Sequence, residues 1–237
     1  MKKPPFVLYL LVLTLAGCAH YQTPGGAVSL TGIESQDVRD LFTREAAAQF
    51  PANISVARVQ AAGYIPRHGS THGTGAFTVL TTRELLLEDE FVSMKRWPSV
   101  QGMAPLSRLL IPTHLTSLDD LRRSGAALKT DILLVFTIDT AFRVDGKSIG
   151  PLSVVSLGWL RDRETVVSST ASAAIIDVRT GFVYGVAEAT ADETKRASAW
   201  SSSSKVDQSR NKTEAKAFVD LITELERTWI NIVVEHS

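Results

Sequence analysis

Thr130-Asp131-Ile132-Leu133-Leu134-Val135-Phe136-Thr137-Ile138 is the stretch whose reading decides the fold. A strand with one wet face alternates apolar and polar residues, whereas this run is nearly continuous in apolar residues through Ile138, the pattern of a strand covered on both faces. It predicts a central strand, Ile132 to Phe142, with packed layers on either side. Just before it, Ser117 stands as an N-cap with Asp120 three residues on, and Leu118, Leu121, Gly125 and Leu128 share one face, so a helix is expected to run to about Lys129. Beyond it, Val166 to Val178 and Phe182 to Thr190 read as two more strands joined by Arg179-Thr180-Gly181, where glycine supplies the positive φ of a tight hairpin. In the second of these, Phe182, Tyr184 and Val186 are expected on one face. Val183, Gly185, Ala187 and Ala189 fall on the other, small enough for a helix to pack closely.

Further out the pattern continues. A Ser-rich linker, Ser198 to Ser204, leads to a closing helix in which Phe218, Leu221, Ile222, Leu225, Trp229, Ile232 and Val233 follow the helical period, with Asp220, Glu224, Glu226 and Arg227 toward water. In the first half, Val38, Leu41 and Phe42 form the apolar stripe of a helix from Gln36 to Gln49 that stops at Phe50-Pro51. Ile54, Val56 and Val59 mark a short strand, Gly63 to Gly75 a Gly-rich loop and Phe77 to Leu80 another apolar stretch. Leu85 to Trp97 suits a helix, and Arg108 to Ile111, stopped by Pro112, a short strand. The sum is an α/β fold: a mixed sheet of about four to five strands with an antiparallel C-terminal hairpin, flanked by helices and closed by an amphipathic C-terminal helix.

The chain opens with Lys2 and Lys3 before an apolar run, Phe6 to Leu15, that closes on Leu15-Ala16-Gly17-Cys18. A basic start, a short apolar core and small residues before the cut mark a secretory signal, and the run is too short to span a bilayer. A cysteine at this place is where bacteria attach lipid. Residues 1–17 are therefore expected to be a cleaved lipoprotein signal peptide, and Cys18 to carry a diacylglycerol and an N-acyl chain such as palmitate. Residues 18–35, with Pro24, Gly25 and Gly26, read as a tether, and 36–237 as a single α/β domain. Several acyl chains hold a protein durably to a membrane. Ala19 stands where an Asp would signal retention in the inner membrane, so a periplasm-facing anchor in the outer membrane is expected.

Composition narrows the function classes. Cys18 is the sole cysteine, so no intramolecular disulfide forms and no free thiol nucleophile remains after lipidation. The chain holds 25 Lys and Arg against 25 Asp and Glu, and loss of Lys2 and Lys3 with the signal leaves two acids in excess. That balance argues against nucleic-acid binding or a polybasic membrane patch.

Thr130-Asp131 before the central strand, followed later by Ala174-Ile175-Ile176-Asp177-Val178-Arg179-Thr180-Gly181, resembles a pattern of periplasmic lipoproteins in which a helix ends in Ala-Asp and a long hairpin turns on Asp-x-x-Thr-Gly. The group includes the curli-secretion channel lipoprotein, the polysaccharide-export lipoprotein PelC, the lipoprotein activators of penicillin-binding proteins and the amino-terminal domain of TolB. Thr130 replaces the usual Ala. The resemblance implies a non-catalytic outer-membrane lipoprotein that acts as a tethered assembly or interaction module of the envelope, partnered by other envelope proteins or by its own copies. The alternative it raises is a subunit of an oligomeric secretion or export ring. Gly150 to Leu160 departs from the pattern, being apolar where a hairpin connection is polar. Leu152, Val154, Val155, Leu157, Trp159 and Leu160 are therefore candidate partner or oligomer contacts, with packing on their own core as the plainer reading and membrane contact as the third.

Enzymatic chemistry finds little footing, and no catalytic residue or cofactor other than the lipid on Cys18 is assigned. His68 and His72 come nearest to a metal pair, but they sit in a Gly-rich segment without an evident third ligand, which leaves an envelope metalloenzyme or hydrolase as a remote alternative. Gly146-Lys147-Ser148 lacks the first glycine and the following helix of a phosphate-binding loop, and Ser202 to Lys205 fits Ser-x-x-Lys without its companion motifs. Asp139, on the central strand, is expected to accept backbone hydrogen bonds rather than to act on a substrate.

Overall fold

A computed structural model describes residues 26–29, 38–64, 66, 70–80, 88–144, 147–149, 164–196 and 203–237. The elements are α1 (Val38–Phe42), β1 (Ala52–Ala61), β2 (Thr71–His72), β3 (Thr74–Gly75), β4 (Phe77–Leu80), α2 (Glu88–Met94), β5 (Val100–Pro105), β6 (His114–Leu115), α3 (Leu118–Ala127), β7 (Ile132–Val144), β8 (Lys147–Ile149), β9 (Glu164–Asp177), β10 (Val183–Arg196) and α4 (Ser203–His236). The fold is mixed α/β. Its main sheet runs β10-β9-β7-β1-β4-β2, with β5 also paired to β1 and β8 to β7. β1 lies parallel to β5 and β7, and every other pairing in this sheet is antiparallel. The short strands β2, β5 and β8, too brief to announce themselves by periodicity, make it wider than the sequence suggests.

β7 is central and covered on both faces, as its apolar run requires. Ile132, Leu134, Phe136 and Ile138 join the core under α4, together with Ile54, Ile175, Phe218, Leu221 and Trp229. Leu133 and Val135 join the opposite core under α3 and the 106–115 connection, with Leu106, Leu115, Leu118, Leu121 and Ile176. α4 packs along β9 and β10, and its apolar stripe is the predicted one. Trp229 sits at the centre of an aromatic group, its ring 5.5 Å from Phe50 and 6.4 Å from Trp97, and its indole N–H donates to the Pro98 carbonyl at 2.7 Å.

Five local expectations are refined. The helix expected over 36–49 is only the five residues of α1, and its stripe is exposed, Phe42 to 87%. The chain beyond is extended because the Ala47 and Ala48 amides donate to Asp177 Oδ2, each at 2.8 Å, and an amide bound there is not available to a helix. Arg108 to Ile111 is a turn, and the strand falls earlier, at β5, where parallel pairing with β1 supplies the hydrogen bonds. α3 begins at its predicted cap, with Asp120 Oδ2 accepting from the Thr116 and Ser117 amides and the Thr116 hydroxyl. It ends at Ala127, however, and leaves Leu128 38% exposed. Asp139, expected to accept backbone hydrogen bonds, is exposed on the face of β7 that also carries Val135 and Thr137. Ser203 and Ser204, assigned to the linker, already belong to α4.

A bulge in β10 alters its faces. The register with β9 slips between Val183 and Gly185, leaving Tyr184 as the extra residue. Tyr184 therefore joins Ala187 and Ala189 against the α4 core, while Val183 turns away to 44% exposure. The close approach of the helix to the small face holds: a Cβ on Gly185 would stand 2.7 Å from Thr228 Cγ2. Gly185→Val is expected to push α4 off the sheet and cost about 1–3 kcal/mol. Urea unfolding measures it, and an unchanged midpoint would show that the contact is slack.

Candidate functional site

Among the described residues, the face of the sheet opposite α4 is only half covered. Toward the β9–β10 hairpin and the end of β1 it carries a groove of about 290 Å³ whose floor includes Val135 and Thr137 of β7, Ser172 and Ala174 of β9, and Val186 and Glu188 of β10. Val59 and Val28 complete its lining. Strand alternation dictates this membership: residues on the outer face of β7, β9 and β10 recur every second position, and beyond the reach of α3 they meet water. Val186 is 68% exposed, and Ser172 donates to Glu188 Oε2 at 2.8 Å along the rim. Residues 26–29, part of the segment assigned to the tether, form one wall. There the Ala61 amide donates to the Gly26 carbonyl at 3.1 Å, the Val28 amide donates to Thr137 Oγ1 at 3.4 Å, and Val28 packs on the core beneath.

β10 is also the edge of the sheet among the described residues, a strand of 14 residues whose outer backbone groups have no partner strand. A long edge of this kind is a template for pairing with another chain. Groove and edge are contiguous through Val186 and Glu188, so an apolar floor and free backbone groups meet on one side of the molecule.

Behind this face, between the sheet and the first half of α4, lies a buried polar layer. Arg58 and Arg210 are 2% and 5% exposed, and Glu214 stands between them, 3.5 Å from Arg58 Nη2 and 3.4 Å from Arg210 Nε. Thr140 Oγ1 donates to Glu214 Oε1 and meets Ser169 Oγ, which donates to Thr213 Oγ1. Arg58 Nε has no hydrogen-bond acceptor. Each carboxylate here is engaged by guanidinium or hydroxyl groups from the fold itself, and the layer fixes α4 on the sheet.

The hairpin end of the sheet is held by Asp177. It is fully buried and accepts from the Ala47 and Ala48 amides, the Arg179 and Thr180 amides and the Tyr184 hydroxyl. Burial alone would raise this carboxyl, but the bonds from Thr180, Ala47, Tyr184 and Arg179 outweigh it and hold the group below the usual carboxylate range. Tyr184 is pushed up to about 12 by burial and by the neighbouring Asp177, against the opposing bond from the Ala48 amide. Asp-x-x-Thr-Gly is thus a clamp that closes the hairpin and pins residues 47 and 48. Beside it, Arg122, Arg123 and Arg179 line a second cavity of about 250 Å³. Their guanidinium groups are bound to the Val178 and Arg179 carbonyls, Asp119, Asp120, the Ala47 carbonyl and Asp131, which makes the notch a structural joint.

Cys18, His68 and the contact candidates Leu152, Val154, Val155, Leu157, Trp159 and Leu160 lie outside the described residues. His72 is on β2, with Nε2 3.0 Å from the Ile111 carbonyl oxygen. Lys147 and Ser148 are on β8, paired with β7, which is a strand geometry and not that of a phosphate loop. The groove itself gave no signal in the sequence, because its lining comes from five separate segments.

No protein-family model and no curated protein sequence matches the chain. Among solved structures it is similar to a PelC variant from Paraburkholderia phytofirmans described as a dodecamer, at 13% identity, with 74% of this chain and 90% of that chain covered and a TM-score of 0.28. PelC is one of the proteins in the resemblance drawn from the sequence, but a likeness of this degree settles neither fold nor function.

Proposed function

We propose that the chain is a non-catalytic outer-membrane lipoprotein that works as a tethered assembly module, anchored through lipid on Cys18 and presenting its domain to envelope partners. The observation that carries this reading is the open groove running into the free edge of β10. Apolar floor, polar rim and unpaired backbone are the components of a protein contact. The signal peptide over 1–17 supplies the address, and tethering raises the effective concentration of the domain near whatever it binds. In support of a non-catalytic role, Asp177, Asp120 and Glu214 are all committed to holding turns and helices.

A photo-crosslinking residue at position 186, introduced in living cells, tests the contact surface. A discrete crosslinked species is expected there, and none from the same probe at Glu226, which is exposed on α4, on the opposite side of the sheet. Mass spectrometry of the product then separates two assemblies: a second copy of this chain favours the export-ring alternative, and a different envelope protein favours the adaptor. If position 186 crosslinks no more than position 226, the groove is not the contact surface.

A further inference from the structure

The docked residues 26–29 set a limit on how the domain sits at its membrane, an inference that rests on the lipid anchor proposed above. Between Cys18 and Gly26 there are eight residue steps, which span at most about 29 Å when fully extended. Gly26 is fixed on the sheet beside Asp139, where a Cβ on it would lie 3.3 Å from Asp139 Oδ1, while Val28 sits two strand positions lower, at Thr137. Followed backward, the chain therefore leaves the domain in the direction in which β7 rises toward Val144.

The two ends of the sheet are not equally reachable. From Asp139 to Ile132 is seven residues of β7, about 23 Å of strand. Below Ile132 the hairpin turn and residues 43–50 add further depth. Facing that end toward the bilayer would consume the whole leash after first reversing its direction. From Asp139 to Val144 is five residues, about 17 Å, and the leash already points that way. Ile149, Glu164 and Arg196 lie at this same end, paired beside the last residues of β7.

We propose that the domain is held with the Val144 and Arg196 end of the sheet against the lipid surface and the Asp177–Val183 hairpin pointing away from it. The groove and the edge of β10 then stand side-on to the membrane, open to a neighbour in the same plane.

Because the Cys18 thiol is consumed by lipid, a single introduced cysteine can be labelled on the full lipidated protein. Arg143→Cys at the near end and Gln49→Cys at the far end, both exposed, would each carry bimane, with the protein reconstituted into phosphatidylethanolamine and phosphatidylglycerol vesicles containing a head-group spin-labelled lipid. Quenching is expected to be several-fold stronger at position 143. Inserting about twenty Gly and Ser residues between Thr23 and Pro24 lengthens the leash enough to let the domain turn over, and should narrow the difference. Equal quenching at the two sites, or stronger quenching at 49, in a sample shown by intact mass to be lipidated and by flotation to be vesicle-bound, overturns the orientation and leaves the lipoprotein reading standing. A chain without lipid that fails to float overturns both.

Discussion

Glu214→Gln is expected to destabilise the protein by about 3–5 kcal/mol, lowering Tm by roughly 10 °C in a chain of this size. Among the described residues, Glu214 is the carboxylate within ion-pair distance of both buried guanidinium groups, Arg58 and Arg210, and Asp207 reaches Arg210 at 4.0 Å. The substitution keeps the side-chain volume and removes the charge, so the loss reports buried guanidinium charge deprived of its shared carboxylate and not a cavity. The pair itself need not stabilise the fold relative to an apolar substitute. Arg58→Met combined with Glu214→Gln is therefore expected to recover part of the loss, and a double-mutant cycle by chemical denaturation gives the coupling. A Glu214→Gln variant within 1 kcal/mol of wild type would mean that water reaches the layer and neutralises the argument.

Asp177→Asn is the second large effect, about 3 kcal/mol or more. An amide can present one oxygen to the Arg179 and Thr180 amides, but its NH₂ then faces the Ala47 and Ala48 amides, donors against a donor, and the Tyr184 hydroxyl loses the carboxylate it donates to. Residues 43–50 are expected to detach, read as hydrogen exchange at Ala47 and Ala48 rising toward that of an open chain. The clamp also fixes the sign of the acid response. The folded carboxyl of Asp177 lies below its unfolded value, so its contribution is fully present above about pH 4 and is lost as pH falls through the folded value. Asp120 and Glu193 shift in the same direction. In Asp120 burial is outweighed by the amides of Thr116 and Ser117, the Thr116 hydroxyl and Arg123; in Glu193 it is outweighed by Lys212 and Lys195. Stability should therefore decline on acidification below about pH 4, and Asp177→Asn should flatten that decline. An identical slope in wild type and variant would remove Asp177 as its source.

Where sequence reading succeeded, one residue type decided one physical question. The apolar run of β7 could only be a strand buried on both faces, Gly181 with φ of +77° could only close a tight turn, and the stripe from Phe218 to Val233 could only be a helix lying on a sheet. Where it failed, a distant partner had changed the local outcome. Residues 43–50 carry helical spacing, but Asp177, some 130 positions away, takes the amides that a helix would use. Tyr184 changes faces because β9 imposes a bulge that no pattern in β10 announces.

The candidate site shows the same division. Charged residues ordinarily stay at the surface, and Arg58, Arg210 and Glu214 are buried because β1 and α4, from opposite halves of the chain, converge on them. The sequence by itself determined the α/β class, the central strand, the C-terminal hairpin and the closing helix, since hydrophobic period and turn chemistry act over a few residues. Only the tertiary structure decided which half of the sheet face stays open, where residues 26–29 attach and which end of the domain a short leash can turn toward lipid, because those depend on distances between segments that no local pattern encodes.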